Sequence, residues 1–437
     1  MTRLAEKLGP RTDAWATEHH DELVAVRRHL HAHPELSFAE YGTTSFLEQR
    51  LRAAGLEPER LATGTGLVVD VGSGGPVVVL RADIDALPLA DLKDVPYAST
   101  VDGVCHACGH DVHTTVLLGA ALALAAVGDL QGTVRCIFQP GEETVPGGAT
   151  GIVASGVLTG ADRAFALHCD PSIPAGTIGL RTGAITAACD RIGVTLSGPG
   201  GHTARPQLTV DLVDALGRLI TDLPGLLSRQ VDPRAGMSLV WGAVNAGVAA
   251  NAIPQRGRLQ GTVRVLDRGA WQDAEGLVRS LVERVAATTG AEVDVDYVRG
   301  VPPVVNDSRT VALQRAAALD TVGAERVVLS PQSMGGEDFG WFADVLPIGL
   351  ARLGTHGGGT SLDLHRGTFD VDESAIGIGV RFLAQAALQA LQADIAATRT
   401  APARTAPPVP GDTSPHDAVD ERREPDDEFS RSDRSGS

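Results

Sequence analysis

The chain has 437 residues, more than one hydrophobic core usually holds, so we expect two domains. Its formal net charge of −17 makes nucleic acid and anionic membranes poor candidates for partners. Five cysteines are an odd and sparse set, no apolar leader is visible at the N-terminus, and no apolar run approaches the length of a membrane span. These features argue against a disulfide framework and predict a cytoplasmic protein.

The first half of the chain alternates between helical and strand patterns. Helical spacing covers residues 20–35, and β-branched runs typical of buried strands follow at 66–72 and 76–84. An apolar helix is predicted over 113–127, and further buried strands come after it, the first at 132–140. This alternation predicts an α/β fold with a mixed, mainly parallel sheet flanked by helices, and functional residues at the carboxyl ends of strands.

The middle of the chain has a different order of elements. Residues 186–298 are predicted to form strand, helix, strand, strand, helix and strand, which is the order of a ferredoxin-like unit. We therefore expect this unit to be inserted into a discontinuous larger domain made of residues 14–185 and 299–397. From residue 398 the chain is rich in Pro, Ser, Asp and Arg and poor in large apolar residues, which predicts a disordered acidic tail over 398–437.

Four clusters of Cys, His and acidic residues lie at predicted strand ends or in loops. They occupy residues 105–113, 139–144, 167–170 and 363–370. Each has an ordinary explanation when taken alone: His168 is compatible with a hydrogen-bonded core histidine, Glu142 and Glu143 with an acidic turn, and the Cys-x-x-Cys pair with redox activity. A structural zinc site needs a closed set of four ligands, usually two matched pairs, and the sequence has no second Cys-x-x-Cys.

The combination of these clusters favours a metal-dependent hydrolase. A thiolate, several imidazoles and a glutamate pair at the strand ends of one sheet suit a borderline ion such as zinc better than magnesium or calcium. Within the pair, one carboxylate can bind a metal while its neighbour takes a proton from bound water. A purely structural site has no use for that second carboxylate.

Eight ordered motifs resemble the dinuclear metallopeptidase and amidohydrolase family of aminoacylases, hippurate hydrolases and auxin–amino acid conjugate hydrolases. From about Ala14 to Leu391 they are HAHPELSFAEYGTT, RADIDALP, HACGHDVHTTVLLGAA, QPGEET, GPGGHTARP, NAIP, GGEDF and LHRGTFDVDE. The resemblance implies two divalent ions per chain (Zn, Mn, Co or Ni) and attack of metal-bound hydroxide on the amide of small N-acyl amino acids or related conjugates. A dipeptidase or carboxypeptidase, or a catalytically silent metal-binding protein, are the alternatives.

The resemblance also implies roles for single residues. Cys108 is expected to bridge the two ions, Glu142 to act as the general base, and Asp83 to orient a ligand histidine. His365 is preferred to His356 as the last ligand because it keeps its spacing to the FDVDE segment. The other expected metal ligands are His110, Glu143 and His168. Cys105, His106 and His113 remain outside this scheme, with packing or hydrogen bonding near the metals as their expected roles.

The inserted unit is expected to contribute to the site through the loop SGPGGHTARP, whose glycines permit a tight turn that presents His202. In the family, the equivalent histidine reaches the active site of the partner subunit and helps to hold the tetrahedral oxyanion. The inserted unit is the family's lid and dimer contact, so the resemblance implies a homodimer. Asn251 and Arg264 resemble residues that bind the substrate carboxylate, although a mid-strand arginine is equally compatible with a solvated sheet face.

Overall fold

The computed structural model describes residues 4–358 and 363–400. Its last helix ends at Thr400 and so includes the first three residues of the predicted tail, while the rest of the tail lies outside the described residues. The helices are α1 Leu4–Glu18, α2 His20–Ala32, α3 Tyr41–Ala53, α4 His110–Val127, α5 Ala149–Ser155, α6 Leu212–Gln230, α7 Arg268–Ala287, α8 Ser308–Val322 and α9 Ser374–Thr400.

The strands belong to one large sheet, one four-stranded sheet and two short pairs. In chain order they are β1 Glu59–Arg60, β2 Leu67–Gly72, β3 Val77–Asp83, β4 Thr133–Gln139, β5 Ala161–Pro174, β6 Ile178–Leu180, β7 Gly183–Ala184, β8 Ala188–Ser197, β9 Gly201–His202, β10 Ser238–Ala246, β11 Ala252–Ile253, β12 Arg256–Val265, β13 Glu292–Val301, β14 Val305–Asn306, β15 Val327–Leu329 and β16 Ile348–His356.

The large sheet has eight strands in the order β1-β2-β4-β3-β5-β16-β6-β15. Its central strands β4, β3, β5 and β16 are parallel to one another, and β1, β2 and β6 add antiparallel pairings. This confirms the predicted α/β class with a mixed, mainly parallel sheet. Because the central strands run the same way, their carboxyl ends lie side by side at one edge of the sheet.

Apolar residues on both faces of the central strands explain why this sheet is buried. In β3, Val78 and Leu80 point into a core that includes α4 and α9, whereas Val79 points into a second core with α5. Successive strand residues face opposite sides, so a strand covered on both sides has to be apolar at consecutive positions. The β-branched run that predicted β3 is therefore a direct consequence of its two-sided burial.

Two helices of the described residues are long and apolar enough to cross a membrane, one over His110–Val127 and one over Ser374–Ala396. The expectation that no apolar stretch approaches this length is therefore wrong. Both helices lie largely inside the protein, with 83% and 72% of their most apolar windows buried. A helix that is apolar on all sides is typical of a protein core as well as of a membrane, and here the apolar surface is covered by the fold.

The second sheet is antiparallel, with the order β10-β12-β8-β13, and α6 and α7 pack on it. The strands of this sheet and the two helices follow one another as β-α-β-β-α-β over residues 188–301, and the short strands β9 and β11 within this range form a separate pair. Helix α6 begins at the side chain of Asp211, which accepts hydrogen bonds from two main-chain N–H groups, and buries Leu212, Leu216, Leu219 and Leu223 on one face. The lid and dimer roles expected for this unit, and the domain boundaries, stay predictions.

Candidate active site

The expected metal ligands begin at a sharp turn before α4. Gly109 has a φ of 87°, and a Cβ at this position would lie 3.0 Å from the sulfur of Cys169, so only glycine fits. The turn leads directly into His110, the first residue of α4, and leaves Cys108 just outside the helix. Cys108 Sγ lies 3.6 Å from His168 Nε2, which comes from β5.

All five predicted ligands come together in two groups that share one residue. In each group, the ligand atoms lie within 4.8 Å of one another. The first group is Cys108, His110 and His168, and the second is Cys108, Glu143 and His365. The shared member is the residue expected to bridge two ions.

The donor atoms of this cluster fit divalent ions. His110 Nε2 and Glu143 Oε1 are buried without a hydrogen-bond partner among the described residues, although burying an unpaired polar atom is costly. These two atoms lie 3.8 Å apart, and Glu143 Oε1 is 3.4 Å from His365 Nε2. Thiolate, imidazole and carboxylate donors in one place suit borderline metals such as zinc.

The ring orientations of two expected ligands are fixed by main-chain oxygens. Nδ1 of His110 donates to the carbonyl oxygen of Asp85 at 2.9 Å, and Nδ1 of His168 donates to that of Cys169 at 2.7 Å. In both rings Nε2 is therefore the nitrogen left to face the cluster. Burial and then the nearby charge of Arg352 hold the pKa of His168 well below its usual value, which favours the neutral, ligating form.

Asp85 positions the loop that carries the glutamate pair. Its carboxylate accepts the main-chain N–H groups of Glu142 at 3.1 Å and Glu143 at 3.0 Å, and the hydroxyl of Ser37 at 2.6 Å. Burial opposes ionisation, but His110 lowers the pKa of this carboxyl below its ordinary value. Sequence reasoning assigned no role to Asp85, although it is the second aspartate of the RADIDALP motif.

Asp83 contacts a histidine other than the expected one. Its Oδ1 lies 2.6 Å from Nδ1 of His113, whereas its Oδ2 is 3.8 Å from Nε2 of the ligand His110. The other nitrogen of His113 accepts the main-chain N–H of Cys169 at 2.8 Å. Both nitrogens of His113 are thus engaged in hydrogen bonds, and the carboxylate of Asp83 accepts its hydrogen bond from His113 rather than from one of the expected ligands.

Glu142 lies at the rim of a buried acidic cluster that also contains Glu337 and Asp338. Burial raises the pKa of the Glu142 carboxyl well above its usual value, and the charges of Glu337 and Glu143 add to this effect. Burial also raises the pKa of Asp338, to about 7, against the lowering effect of Arg81. A carboxylate with increased proton affinity suits a general base that accepts a proton and later returns it.

Arg81 neutralises part of this acidic cluster. The side chain is fully buried and donates to Asp83 at 2.8 Å, to Asp338 at 2.7 Å and to the amide oxygen of Gln139 at 2.9 Å. Its Nη1 is also 3.2 Å from Glu337. Glu337 and Asp338 belong to the GGEDF motif, which was part of the resemblance but yielded no site residue.

A cavity of about 410 Å³ opens over the cluster. Glu142 and four of the expected ligands line it, and Arg264 faces it from β12 with its Nη1 donating to the carbonyl oxygen of Met334 at 2.6 Å. Arg352 of β16 also lines the cavity, and no motif or cluster in the sequence marked it. Two residues were expected to bind the substrate carboxylate, Asn251 and Arg264. Of these, the structure brings Arg264 to the same cavity as the ligands.

His202 and Asn251 lie away from this cavity within the chain. His202 is exposed on β9, pairs with Ala252 of β11, and accepts the main-chain N–H of Ala204 at its Nδ1. Asn251 is exposed next to the same short pair. Neither is among the residues that line the cavity, so the structure does not bring them to the ligand cluster of their own chain.

The structure also shows where the remaining histidine and cysteine candidates lie relative to the ligand cluster. His365 joins the cluster in a left-handed backbone conformation, with φ of 58° and its N–H donated to Ala107. His356 lies at the end of β16 in a different depression and in none of the ligand groups among the described residues. Cys105 packs against Phe369, and burial lowers the pKa of His106 to about 3, so that imidazole is neutral.

The sequence matches a known protein family and several known proteins over most of the chain. Residues 79–389 match the peptidase family M20/M25/M40. A protein of Rhodococcus jostii (strain RHA1) named for glutamate–cysteine ligase 2-3 is 46% identical over 83% of the chain, but the match covers 46% of that protein, so the chain spans about half its length. N-acetyl-L-cysteine deacetylase of Bacillus subtilis (strain 168) is 38% identical, over 85% of this chain and 89% of that enzyme.

A solved structure shares the fold over most of its length. The Bacillus subtilis YXEP protein, described as a dinuclear metal-binding peptidase of the M20 family, has a TM-score of 0.75 and is 33% identical, over 86% of this chain and 99% of that one. The match to the family extends over more than half of the residues, and it includes every element that supplies the ligand cluster. The chain therefore belongs to peptidase family M20/M25/M40 and is a metal-dependent hydrolase of that family.

Proposed function

We propose that this hydrolase removes the acyl group from N-acyl amino acids or related amide conjugates. The observation that carries the proposal is the position of the glutamate pair, whose carboxylates both lie beside His110 Nε2. Glu143 also groups with Cys108 and His365, whereas Glu142 lines the cavity and groups with the acidic residues Glu337 and Asp338. One carboxylate is thereby available for proton transfer beside a set of donors for metal. The deacetylase among the relatives supports an acyl group on the amine of an amino acid.

Two divalent ions per chain would be held by Cys108, His110, Glu143, His168 and His365, with Cys108 as the shared ligand. When bound, such ions polarise a carbonyl and lower the pKa of water, so that amide hydrolysis proceeds at neutral pH. The five donors do not select among zinc, manganese, cobalt and nickel, because selectivity also depends on which metal the cell supplies.

Glu142 would move the proton in this reaction. It would take a proton from the attacking water and deliver it to the nitrogen of the departing amine, so that the amine leaves in a neutral form. Burial and the neighbouring carboxylates raise the pKa of Glu142, which makes it a stronger base than an exposed glutamate. Arg264, which also lines the cavity, would bind the carboxylate of the amino acid.

His202 and Asn251 would complete the site from a second subunit of a homodimer. Both are exposed on the inserted unit and do not line the cavity of their own chain. In a two-fold dimer the same surface is presented to the partner, which gives each histidine a route to the other active site. His202 would then donate a hydrogen bond to the oxyanion of the tetrahedral state.

We also infer a cytoplasmic location, supported by five free cysteines.

A dipeptidase or carboxypeptidase is the second candidate, because attack on an amide is the same chemistry and the YXEP protein is described as a peptidase. The test is a panel of N-acyl amino acids, dipeptides and aryl amides offered to metal-reconstituted protein. The proposal predicts the highest kcat/KM with an N-acyl amino acid. Higher values with dipeptides would favour the peptidase, and no hydrolysis of any member would contradict both.

A further inference from the structure

Three arginines are buried in the part of the chain that the structure describes: Arg27, Arg81 and Arg352. Arg27 contacts three carboxylates, those of Asp111, Asp370 and Glu373, and Arg81 likewise contacts three. This is the usual arrangement, because a buried cation without a counter-charge is strongly unfavourable.

Arg352 departs from this pattern. Only 7% of the residue is exposed, and its guanidinium forms no hydrogen bond and no ion pair with any described residue. Residues 359–362, which fall between the described segments, contain no acidic side chain in the sequence. The charge of Arg352 is therefore buried without a carboxylate partner from the neighbouring parts of the chain.

The position of Arg352 shows from which side an anionic partner could reach its guanidinium. Arg352 lies in β16 directly opposite His168 of the parallel strand β5, and so occupies the position beside a metal ligand on the same face of the sheet. It lines the same cavity as Glu142 and the ligand cluster. The cavity is the space in which an anion can reach this guanidinium.

We infer that Arg352 binds a second carboxylate of the substrate, in addition to the one proposed for Arg264. This inference rests on the proposed function and specifies its substrate class. A guanidinium presents a planar set of donors that matches a carboxylate in a two-point interaction. Arg264 and Arg352 belong to different sheets that both border the cavity, so two carboxylates of one substrate have separate positions to occupy.

The second carboxylate can be supplied by either side of the amide. It belongs to the acyl group in N-succinyl-L-alanine and to the amino acid side chain in N-acetyl-L-aspartate. N-acetyl-L-alanine is the matched compound without it. Comparing kcat/KM for these three substrates measures the preference and identifies which side of the amide faces Arg352.

We expect the wild-type enzyme to prefer one of the two dicarboxylates. Arg352→Met should lower kcat/KM for that substrate by roughly 30-fold or more, since a buried charge pair loses one partner. The preference for that substrate over N-acetyl-L-alanine, measured at equal metal content, should fall by a similar factor, because N-acetyl-L-alanine has no group for Arg352 to bind. Arg352→Lys should retain part of the preference, since the charge is kept and the planar donor set is lost. Arg229→Met, on the exposed side of α6, controls for the loss of a positive charge elsewhere.

Two further measurements separate a binding role from a structural one and from failure of the proposed function. Arg352→Met should not lower Tm, because no ion pair within the chain is broken. Calorimetry on metal-reconstituted Glu142→Gln protein, with and without Arg352→Met, measures binding of the same compounds without turnover. If no N-acyl amino acid is hydrolysed, the proposed function fails while calorimetry still tests Arg352. Equal losses for all three substrates, no preference in the wild type, or a preference that survives Arg352→Met would each overturn the inference.

Discussion

The carboxylate of Asp85 accepts a hydrogen bond from the main-chain N–H of Glu143 at 3.0 Å. The same carboxylate accepts the N–H of Glu142, and the main-chain oxygen of Asp85 holds His110. One residue just after β3 therefore links the proposed general base to two of the expected metal ligands. The geometry of the site thus depends on a buried side chain that does not line the cavity.

Asp85→Asn should weaken metal binding while the fold is retained. The amide has nearly the same shape, but one oxygen becomes an NH₂ group that cannot accept an N–H from the loop. Losing a group that orients metal ligands typically costs about 10–100-fold in metal affinity or activity. Metal titration of the apo-protein measures the affinity, and circular dichroism checks the fold. Wild-type affinity in this variant would show that the loop is held by other contacts.

Glu142→Gln and Glu143→Gln should have different defects. The first variant should keep its metal and lose about 10²–10⁴-fold in turnover, because proton transfer is removed and the ligands are intact. The second should bind metal less well. Elemental analysis and kcat, measured on both variants side by side, separate these effects. If Glu142→Gln keeps near-normal turnover, the roles of the two glutamates are assigned wrongly.

Metal affinity should rise with pH between about pH 6 and 8. Burial and then Glu143 raise the pKa of the Cys108 thiol well above its ordinary value in the metal-free protein. Burial opposes protonation of His110, but the charge of Asp83 raises its pKa well above the usual value. Both groups therefore carry protons below their raised pKa values, and these protons must leave when metal binds.

Each proton released makes affinity increase by about tenfold per pH unit in this range. Calorimetry in buffers with different ionisation enthalpies counts the protons directly. Cys108→Ala should bind metal less tightly and with a shallower pH dependence, because one of the two protons is no longer displaced. An affinity that is flat or falls with pH would contradict the assignment of these two residues as ligands.

Mixing two inactive variants should restore activity if His202 acts across a dimer. His202→Ala and Glu142→Gln chains, allowed to exchange subunits, form mixed dimers in which one site carries both defects and the other carries neither. The His202→Ala substitution is expected to lower kcat more than it weakens substrate binding, since His202 would contact charge that develops only in the transition state. A mixture that stays inactive after demonstrated exchange would place His202 in its own chain's site.

Arg81→Met should destabilise the fold strongly. The variant leaves Asp83, Glu337 and Asp338 buried without their cation, and removing one partner of a buried ion pair typically costs about 3–5 kcal/mol. Denaturant unfolding measures the change in the free energy of unfolding. Arg218→Met removes an exposed pair with Asp214 and serves as the control, for which little change is expected. Equal stability of the two variants would show that the acidic cluster is neutralised in another way.

The sequence alone determined the fold class and most of the central strands, and the family resemblance of its motifs predicted which residues form the ligand cluster. The β-branched runs of β3 and β4 and the apolar pattern of α4 follow from two-sided burial, which leaves a direct trace in composition. Helices α1, α3, α5 and α8 were not predicted. Helix α1 contains Gly9 and Pro10, which are poor indicators of a helix, and α5 is only 7 residues long.

Tertiary structure decided which polar residues meet. Asp83 and Asp85 are two positions apart in one motif, yet one contacts His113 and the other holds the glutamate loop, because the contacts depend on the loop after β4 and the turn before α4. Arg352 belongs to none of the sequence motifs and lies beside His168 only because β16 pairs with β5. Local patterns record burial and backbone geometry, whereas contacts between distant segments arise from chain packing, which no single stretch of sequence encodes.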